Sequence, residues 1–264
     1  MKTKTLETLW IVSPCYNDAD TIEYSVPVMV ETLDRLVRDG KVSTDSRLLL
    51  VDDGSADKTW ETILRLQETY PKRIEALCFK TNAGEMHAYM AGMKAAAEHA
   101  DIIVTIDCDL QDDLARIDEM LDKHSKGAEV VYGCRSDRSE DSSFYRICAG
   151  SFYFLMRAFG SKIVSNSSSY RLVTRNAVML LQARCGESPF LQAEIPLLGL
   201  TSDKVYYARK ARIAGHSGYN YLSLTKLAMT AMKEYTVFFE TAALSAAVLL
   251  TTVQYIRGKS HGKR

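Results

Sequence analysis

The first half of the chain alternates short apolar runs with longer amphipathic segments. The apolar runs end in polar turns, as buried parallel strands do, and strands are therefore predicted at 9–13, 47–51, 74–79, 102–106 and 130–132. Helices are predicted between them at 21–39, 57–69, 85–99 and 115–125, with Asp57 as the N-cap of the second. This alternation predicts an α/β fold with a mostly parallel, Rossmann-like sheet flanked by helices. In such sheets ligands bind beyond the carboxyl ends of the strands.

The pattern changes after about residue 135, where no regular alternation continues. A serine-rich loop is predicted within residues 161–177, and a short helix is expected between Pro189 and Pro196. Residues 222–239 have apolar positions at helical spacing, which is typical of a helix that lies on a membrane or packs on the core. Residues 241–256 carry no charge but fall short of the ~20 apolar residues of a membrane span.

The four bases that follow this apolar stretch would lie outside the cell if it spanned the membrane, against the positive-inside tendency. Shallow insertion or packing in a homo-oligomer is therefore preferred, and a single span is the second possibility. The predicted organisation is a catalytic domain at 1–221 and a membrane-associating helical segment at 222–264.

Composition narrows the function further. The chain has 264 residues with a formal net charge of zero, which argues against a nucleic-acid binder that works by bulk charge. Its six cysteines are scattered singly, which favours a reducing compartment, and the N-terminus has no apolar stretch typical of a secretory signal. We therefore expect the main domain to remain in the cytosol.

The residues after the fourth predicted strand carry the strongest chemical signal. They read DCDLQDD, and in an extended segment Asp107 and Asp109 point the same way, so their carboxylates can converge on one cation. Mg2+ and Mn2+ prefer oxygen ligands and are commonly held by one or two carboxylates together with substrate phosphates. Asp112 and Asp113 are better explained as the start of a helix, where acids meet the helix dipole favourably.

Other strand ends carry SPCYN, VDDGSADKT and KTNAGEMHA, and neither GxGxxG nor GxxxxGK[ST] occurs at these places. Together with DCDLQD and GCRSDR, in this order, they resemble the family 2 inverting glycosyltransferases of GT-A fold. The closer resemblance is to the transferases that act on dolichyl or polyprenyl phosphate, and it extends from about Ile11 to Tyr221.

The resemblance implies roles for particular residues. It implies a nucleotide-sugar half at about 1–134 and an acceptor half at about 135–221. Asp107 and Asp109 would hold Mg2+ or Mn2+ against the donor diphosphate, and Asp109 would act in catalysis together with Arg135 and Arg171. The other donor-binding residues would be Pro14, Tyr16, Asn17, Asp52, Asp53, Asn82 and Gln111, and the acceptor phosphate would meet Arg138, Arg209, Arg212 and Ser217. Arginine suits this task because its guanidinium can bind phosphate oxygens in bidentate fashion.

The sequence departs from the family pattern at three positions. Many relatives carry an acid just before a Phe-Arg-Leu triplet, where this chain has Ser169 and Tyr170. Gly218 stands where a lysine is usual, and His216 stands where an acid is frequent. The missing acid puts a general-base role in doubt. A phosphate acceptor tolerates this loss better than a hydroxyl, because it is already ionised near neutral pH.

The expected activity is a metal-dependent, inverting transfer of a sugar from a UDP- or GDP-sugar to a polyprenyl phosphate at the cytoplasmic face of the membrane. Two alternatives stay open. The same fold could transfer to a saccharide or lipid hydroxyl, or the chain could be a sugar-nucleotide-binding homologue that has lost catalysis.

Overall fold

The computed structural model describes residues 5–137, 162–184 and 190–210. The chain divides into two compact units, one formed by residues 1–142 and 164–216 and the other by 143–163 and 217–264. The elements described below belong to the first unit. The predicted helices at 222–264 lie outside the described residues.

Strands and helices alternate through the first unit as the apolar pattern predicts. The strands are β1 (Leu9–Cys15), β2 (Arg47–Asp52), β3 (Ile74–Cys78), β4 (Ile102–Thr105), β5 (Val130–Asp137), β6 (Ser167–Thr174) and β7 (Ser202–Ala208). The helices are α1 (Ala19–Arg38), α2 (Thr59–Thr69), α3 (Glu85–Ala97), α4 (Arg116–Ser125), α5 (Arg175–Arg184) and α6 (Leu191–Leu197).

The strands form one seven-stranded sheet in the order β3-β2-β1-β4-β6-β5-β7. Strands β1 to β4 run parallel and β7 is parallel to β5, whereas β6 is antiparallel to both of its neighbours. The prediction of a mostly parallel α/β sheet is confirmed.

The serine-rich loop predicted within 161–177 is shorter than expected, because it ends at Asn166 and the three serines at 167–169 belong to β6. This strand sits between β4 and β5 in the sheet, and four consecutive residues from Tyr170 to Val173 are buried. The serines that precede them are accommodated by hydrogen bonds: the Ser168 hydroxyl meets the Tyr207 hydroxyl at 2.8 Å, and that of Ser167 donates to a carbonyl.

The core has two layers, one on each face of the sheet. Alternate side chains of β1 point to opposite faces, as the strand period requires. Leu9 and Ile11 join the layer that contains residues of α1, α2 and α4, and Trp10 and Val12 join the layer that contains residues of α3, α5 and α6.

Helix α3 lies unusually close to the sheet at Gly92. A Cβ atom there would come within 2.4 Å of Val12 Cγ1 and 2.9 Å of Val51 Cγ2. A residue larger than glycine would therefore push α3 away from the sheet that it helps to bury.

Helix α2 begins two residues after Asp57, so the prediction that Asp57 is its N-cap is off by one residue; Lys58 holds that position. Asp57 still serves the helix start, since its Oδ1 accepts the backbone N–H of Thr59 at 2.9 Å. Among the described residues, no helix has the length and apolar character that crossing a bilayer requires.

Candidate active site

The carboxyl ends of three parallel strands meet at one edge of the sheet. Cys15 at the end of β1 pairs with Asp52 at the end of β2, which pairs with Cys78 at the end of β3. The acidic loop begins at the end of β4, which lies beside β1 in the sheet. The motifs that are separated in sequence are therefore neighbours at the edge where a parallel sheet binds ligands.

Asp52 is buried, with 1% of its surface exposed, yet it lies at this edge. Its Oδ1 accepts hydrogen bonds from the backbone N–H of Ser55 at 3.2 Å and from the Ser55 hydroxyl at 2.5 Å. Its Oδ2 lies 3.4 Å from Cys78 Sγ. Burial, together with this carboxylate, raises the pKa of the Cys78 thiol, so the thiol stays protonated and can donate to Asp52.

Asp53 holds the loop after β3 in place. Its Oδ1 accepts the N–H of Ala83 at 2.8 Å, and its Oδ2 accepts the N–H of Gly84 at 2.9 Å and the Asn82 side-chain amide at 3.1 Å. Gly54 is needed for this approach, because its φ is +68° and a Cβ there would lie 2.4 Å from the carbonyl carbon of Thr81. Asp53 and Asn82, which are both predicted to bind the donor, are thus hydrogen-bonded to each other and together fix the shape of this loop.

Asn17 joins the loop after β1 to the loop after β2. Its Oδ1 accepts the N–H of Ala56 at 2.9 Å and that of Asp57 at 3.3 Å, and its own backbone has a φ of 54°. Pro14 lies half-buried at the end of β1, and Tyr16 is 47% exposed beside Asn17. A flat exposed ring next to Asn17 provides a surface on which a base could stack.

The carboxylate of Asp107 is oriented by two hydroxyl groups. Tyr89 of α3 and Ser169 of β6 both donate to Oδ1, at 2.5 and 2.8 Å. Asp107 Oδ2 lies 3.9 Å from the guanidinium of Arg209. Ser169, which stands where many relatives have an acid, therefore gives the first acid of the motif a donor. Tyr89 was not predicted as a site residue, and only the spatial proximity of α3 to β4 shows its role.

Asp109 follows Asp107 and is almost fully buried. Its Oδ1 accepts the N–H of Gln111 at 3.1 Å, and its Oδ2 lies 4.0 Å from the same Arg209 nitrogen. Leu110, between Asp109 and Gln111, adopts a φ of 55°, which turns the chain sharply at this point. The Gln111 side chain donates to the Lys210 carbonyl at 3.0 Å, so the segment after β7 is tied to the acidic loop.

One carboxylate oxygen of Asp107 and one of Asp109 thus lie near the same guanidinium nitrogen. Carboxylate oxygens are hard ligands, which suit Mg2+ or Mn2+. Two carboxylates are also as many as a nucleotide-bound metal of this kind commonly takes from protein. The residues present therefore fit such an ion. In the described ranges, no cluster of three or more His, Cys, Asp or Glu side chains is placed to hold a metal without further ligands.

The prediction that Asp112 starts a helix is wrong. Helix α4 begins only at Arg116, and Asp112 is 2% exposed and accepts a hydrogen bond from the Tyr207 hydroxyl at 2.5 Å. Burial, with the negative charge of Asp107, raises the pKa of Asp112 to about 7. Asp113 does stay near the helix start, where its carboxylate lies 3.5 Å from both Arg116 and Lys210.

The predicted arginines differ in their surroundings. Arg135 lies at the edge of the sheet, opposite Tyr207 in the pairing of β5 with β7, and its Nε is buried without a hydrogen-bond partner. Arg209 faces the two acids of the motif and also has a buried Nε without a partner. Unpaired donors at such an edge can donate to a ligand oxygen at little further cost.

Arg171 is enclosed in the core, with 2% of its surface exposed. Its guanidinium donates to the carbonyls of Ser168 at 2.8 Å, Ser169 at 3.4 Å and Leu191 at 3.4 Å. Burial lowers its pKa. Through these contacts Arg171 holds the backbone of β6 at Ser168 and Ser169 in place. A catalytic role for Arg171 stays a prediction.

Part of the predicted acceptor site falls outside the described residues. This applies to Arg138, Arg212 and Ser217, and to His216 and Gly218, at which the sequence departs from the family pattern.

Comparisons with known proteins agree with this arrangement of motifs. The family model for glycosyl transferase family 2 matches residues 10–180. The chain is 32% identical over 229 residues to the uncharacterized glycosyltransferase YkoT of Bacillus subtilis, covering 87% of this chain and 68% of YkoT. It is 30% identical over 229 residues to the bactoprenol glucosyl transferase of Shigella phage SfV, covering 86% of this chain and 72% of that protein.

Among solved structures, the mannosyltransferase PcManGT from Pyrobaculum calidifontis, in complex with GDP-Man and Mn2+, superposes with a TM-score of 0.51. It is 18% identical and covers 96% of this chain and 81% of its own, a likeness that shows the shared fold. With a family model that covers well over half of its length, the chain belongs to glycosyl transferase family 2 and is a glycosyltransferase of GT-A fold.

Proposed function

We propose that this protein transfers a sugar from a nucleoside diphosphate sugar to a polyprenyl phosphate, with inversion at the anomeric carbon and with Mg2+ or Mn2+ as cofactor. The observation that carries the proposal is the pairing of Asp107 and Asp109 with Arg209 at the ligand-binding edge of the sheet, next to Arg135. Acids that suit a metal bound to the donor diphosphate thus lie beside basic groups that suit the phosphate of the acceptor. The bactoprenol glucosyl transferase of phage SfV, 30% identical, supports the choice of a lipid phosphate as acceptor.

The donor would lie along the ends of β1, β2 and β4. Asp52 lies at this edge with Oδ1 held by Ser55 and Oδ2 by the Cys78 thiol, so it would shape the pocket that receives the base. Tyr16 offers its exposed ring to the same base. Asp107 and Asp109 would hold the metal, which when bound offsets the negative charge that develops on the departing diphosphate.

The acceptor would be positioned by arginine side chains. Arg135 and Arg209 would bind the phosphate oxygens of the lipid and aim one of them at the anomeric carbon. In a single displacement, this oxygen forms the new bond to the anomeric carbon as the bond to the nucleoside diphosphate breaks. No base is needed because the phosphate is ionised near neutral pH, which agrees with the serine at position 169 in place of an acid.

We infer that the enzyme works at the cytoplasmic face of the membrane, where a nucleotide sugar and a lipid phosphate can both reach it. In the segment at 222–264, the amphipathic part would lie on the membrane surface, and the apolar part that follows would insert shallowly or pack against a second copy of the chain.

The test is nucleotide release by the purified protein with Mn2+ and a panel of UDP- and GDP-sugars. Each donor is combined with undecaprenyl phosphate, with undecaprenol, or with no acceptor. We expect release that depends on the phosphate and one nucleotide that is strongly preferred. Equal release with undecaprenol would instead establish a hydroxyl acceptor and overturn the proposal.

A matched pair of variants tests the acids. Asp109→Asn should lose at least 100-fold in turnover, since an electrostatic contact to the transition state is removed. Asp113→Asn, on the same loop but paired with Arg116 and Lys210, should retain most of the activity. Full activity of Asp109→Asn would contradict the assigned role.

A further inference from the structure

The hydroxyl of Tyr207 lies at the centre of a buried polar network beside the active-site edge. Tyr207 is 2% exposed and pairs directly with Arg135 across β7 and β5. Its hydroxyl donates to Asp112 Oδ1 at 2.5 Å and lies 2.8 Å from the Ser168 hydroxyl, and the pairing of β5 with β7 sets the Arg135 side chain beside it. A phenol has one hydrogen to give and two lone pairs to share, so these two contacts leave one lone pair that the neighbouring guanidinium can meet.

The network separates two opposite charges. A buried arginine and aspartate that can reach each other usually form a direct, often bidentate pair. Here Asp112 is hydrogen-bonded to the Tyr207 hydroxyl, Arg135 is the cross-strand neighbour of the same tyrosine, and Asp112 Oδ2 and Arg135 Nε are both buried without a hydrogen-bond partner. The attraction between the two residues is nevertheless present, because Asp112 favours the charged form of Arg135 and Arg135 favours that of Asp112.

We propose that Tyr207 is a positioning residue that keeps the Arg135 guanidinium away from Asp112 and thereby free to bind the acceptor phosphate. The proposal rests on the proposed function for its acceptor, but the separation of the two charges is a property of the fold alone. Tyr207 contacts no reacting atom in this scheme and acts only through Arg135.

Tyr207→Phe removes the hydroxyl and leaves the aromatic ring, which packs edge to face against Tyr170 with ring centroids 5.5 Å apart. Without the hydroxyl, nothing in the network separates the two charges, and we expect Arg135 to pair directly with Asp112. A guanidinium held in this pair is less available to phosphate. Replacing Asp112 as well removes the charge that captures Arg135, so the double variant Tyr207→Phe/Asp112→Asn should recover acceptor binding.

The kinetic test compares wild type, Tyr207→Phe and the double variant at pH 8, where Asp112 is ionised in the wild type. Tyr132→Phe is the matched control, since it removes a buried hydroxyl from the same strand as Arg135 but from the opposite face of the sheet. For Tyr207→Phe we expect the KM for undecaprenyl phosphate to rise about tenfold, the worth of one charged hydrogen bond, with kcat and the donor KM within twofold. The double variant should regain most of the loss. An unchanged acceptor KM, or a double variant worse than Tyr207→Phe alone, would overturn the proposal.

A second measurement needs no substrate and separates this proposal from the proposed function. The groups that face Asp112 are Asp107, Arg135, Arg209, Tyr170 and Tyr207. Of these, Tyr207 stabilises the charged form of Asp112 through its hydrogen bond, so its loss alone would make the stability of the protein fall more steeply from pH 5 to pH 8. Direct pairing with Arg135 instead makes that fall shallower. Urea unfolding of wild type and Tyr207→Phe across this pH range therefore gives opposite results for the two cases, and a steeper or unchanged fall would refute the spacer role even if transfer to a lipid phosphate is confirmed.

Discussion

Asp112→Asn should abolish a pH-dependent loss of stability that the wild-type protein suffers between pH 5 and pH 8. Burial raises the pKa of Asp112 from 3.8 to about 7 in the folded chain, so the native state holds a proton that the unfolded chain has already released. Where the native state binds more protons than the unfolded state, stability falls as the pH rises. The loss therefore begins near the unfolded pKa and is complete once the pH has passed the folded one.

The size of the effect follows from the two pKa values. Linkage between protonation and folding gives a loss of roughly 2 to 3 kcal/mol from pH 5 to pH 8 for this single group. For a chain of this length the corresponding difference in Tm is about 5 °C. Asparagine has no such proton, and its side-chain oxygen can still accept the hydrogen bond from Tyr207, so the variant lacks only this contribution.

The assay is urea unfolding of both proteins in EDTA at unit intervals from pH 5 to pH 8. Chelation matters because a metal on Asp107 would lower the pKa of its neighbour Asp112. The difference in free energy of unfolding, variant minus wild type, should grow by roughly 2 to 3 kcal/mol across the range and then level off. Curves that run parallel from pH 5 to pH 8 would show that Asp112 is charged throughout and would refute the reasoning.

Three further predictions concern groups that shape the site. Gly54→Ala should destabilise the protein by about 3 kcal/mol or more, since it adds a close contact with Thr81 to the strain of a positive φ; Gly40→Ala, with a φ of +65° and open space around it, should cost only about 1 kcal/mol in the same urea titration. Asp53→Asn should cost about 1–3 kcal/mol and raise the donor KM, because an amide cannot accept all three hydrogen bonds of the loop after β3; urea unfolding and donor kinetics check both effects. Tyr89→Phe should weaken Mn2+ binding about tenfold in isothermal titration, because Asp107 loses one of the two hydroxyl donors that orient it.

The sheet could be predicted from the sequence because its signal is local. Strands β1 to β4 are short apolar runs closed by turns, and each is followed by a helix whose apolar spacing is visible in the same window. The rule that ligands bind beyond the carboxyl ends of parallel strands then predicts from sequence alone that Asp52 and Asp107 lie at the same edge. Motif residues at strand ends are thus the most predictable part of the site.

Strand β6 could not be predicted in this way because its sequence carries polar residues where a central strand is usually apolar. SSSYRLVT reads as a loop until the partners of its serines are known. The Ser168 hydroxyl meets Tyr207, 39 positions away, and that of Ser169 meets Asp107, 62 positions away. A polar side chain in a strand becomes acceptable only through such distant partners, and no local pattern contains them.

The same limit applies to Tyr89 and Tyr207, the two tyrosines that orient acids of the loop after β4. Each looks like an ordinary aromatic residue of a core, and both are indeed buried. Their hydroxyls reach acids 18 and 95 positions away in the sequence. Such residues emerge only when the contacts of the acids themselves are known.

The four acids of DCDLQDD show why a cluster of charge in sequence is a poor guide to charge in space. Asp107 and Asp109 share Arg209, whereas Asp113 lies beside Arg116 and Lys210. Asp112 alone relies on burial, which favours its neutral form, and on the Tyr207 hydroxyl. The four acids are therefore tolerated in three different ways, and most of the groups involved come from the end of β7 and the residues that follow it. Because Arg209 is the group that meets the two motif acids, a cation that binds there must compete with it or share it, and the charge of residue 209 should set the affinity of the site for metal.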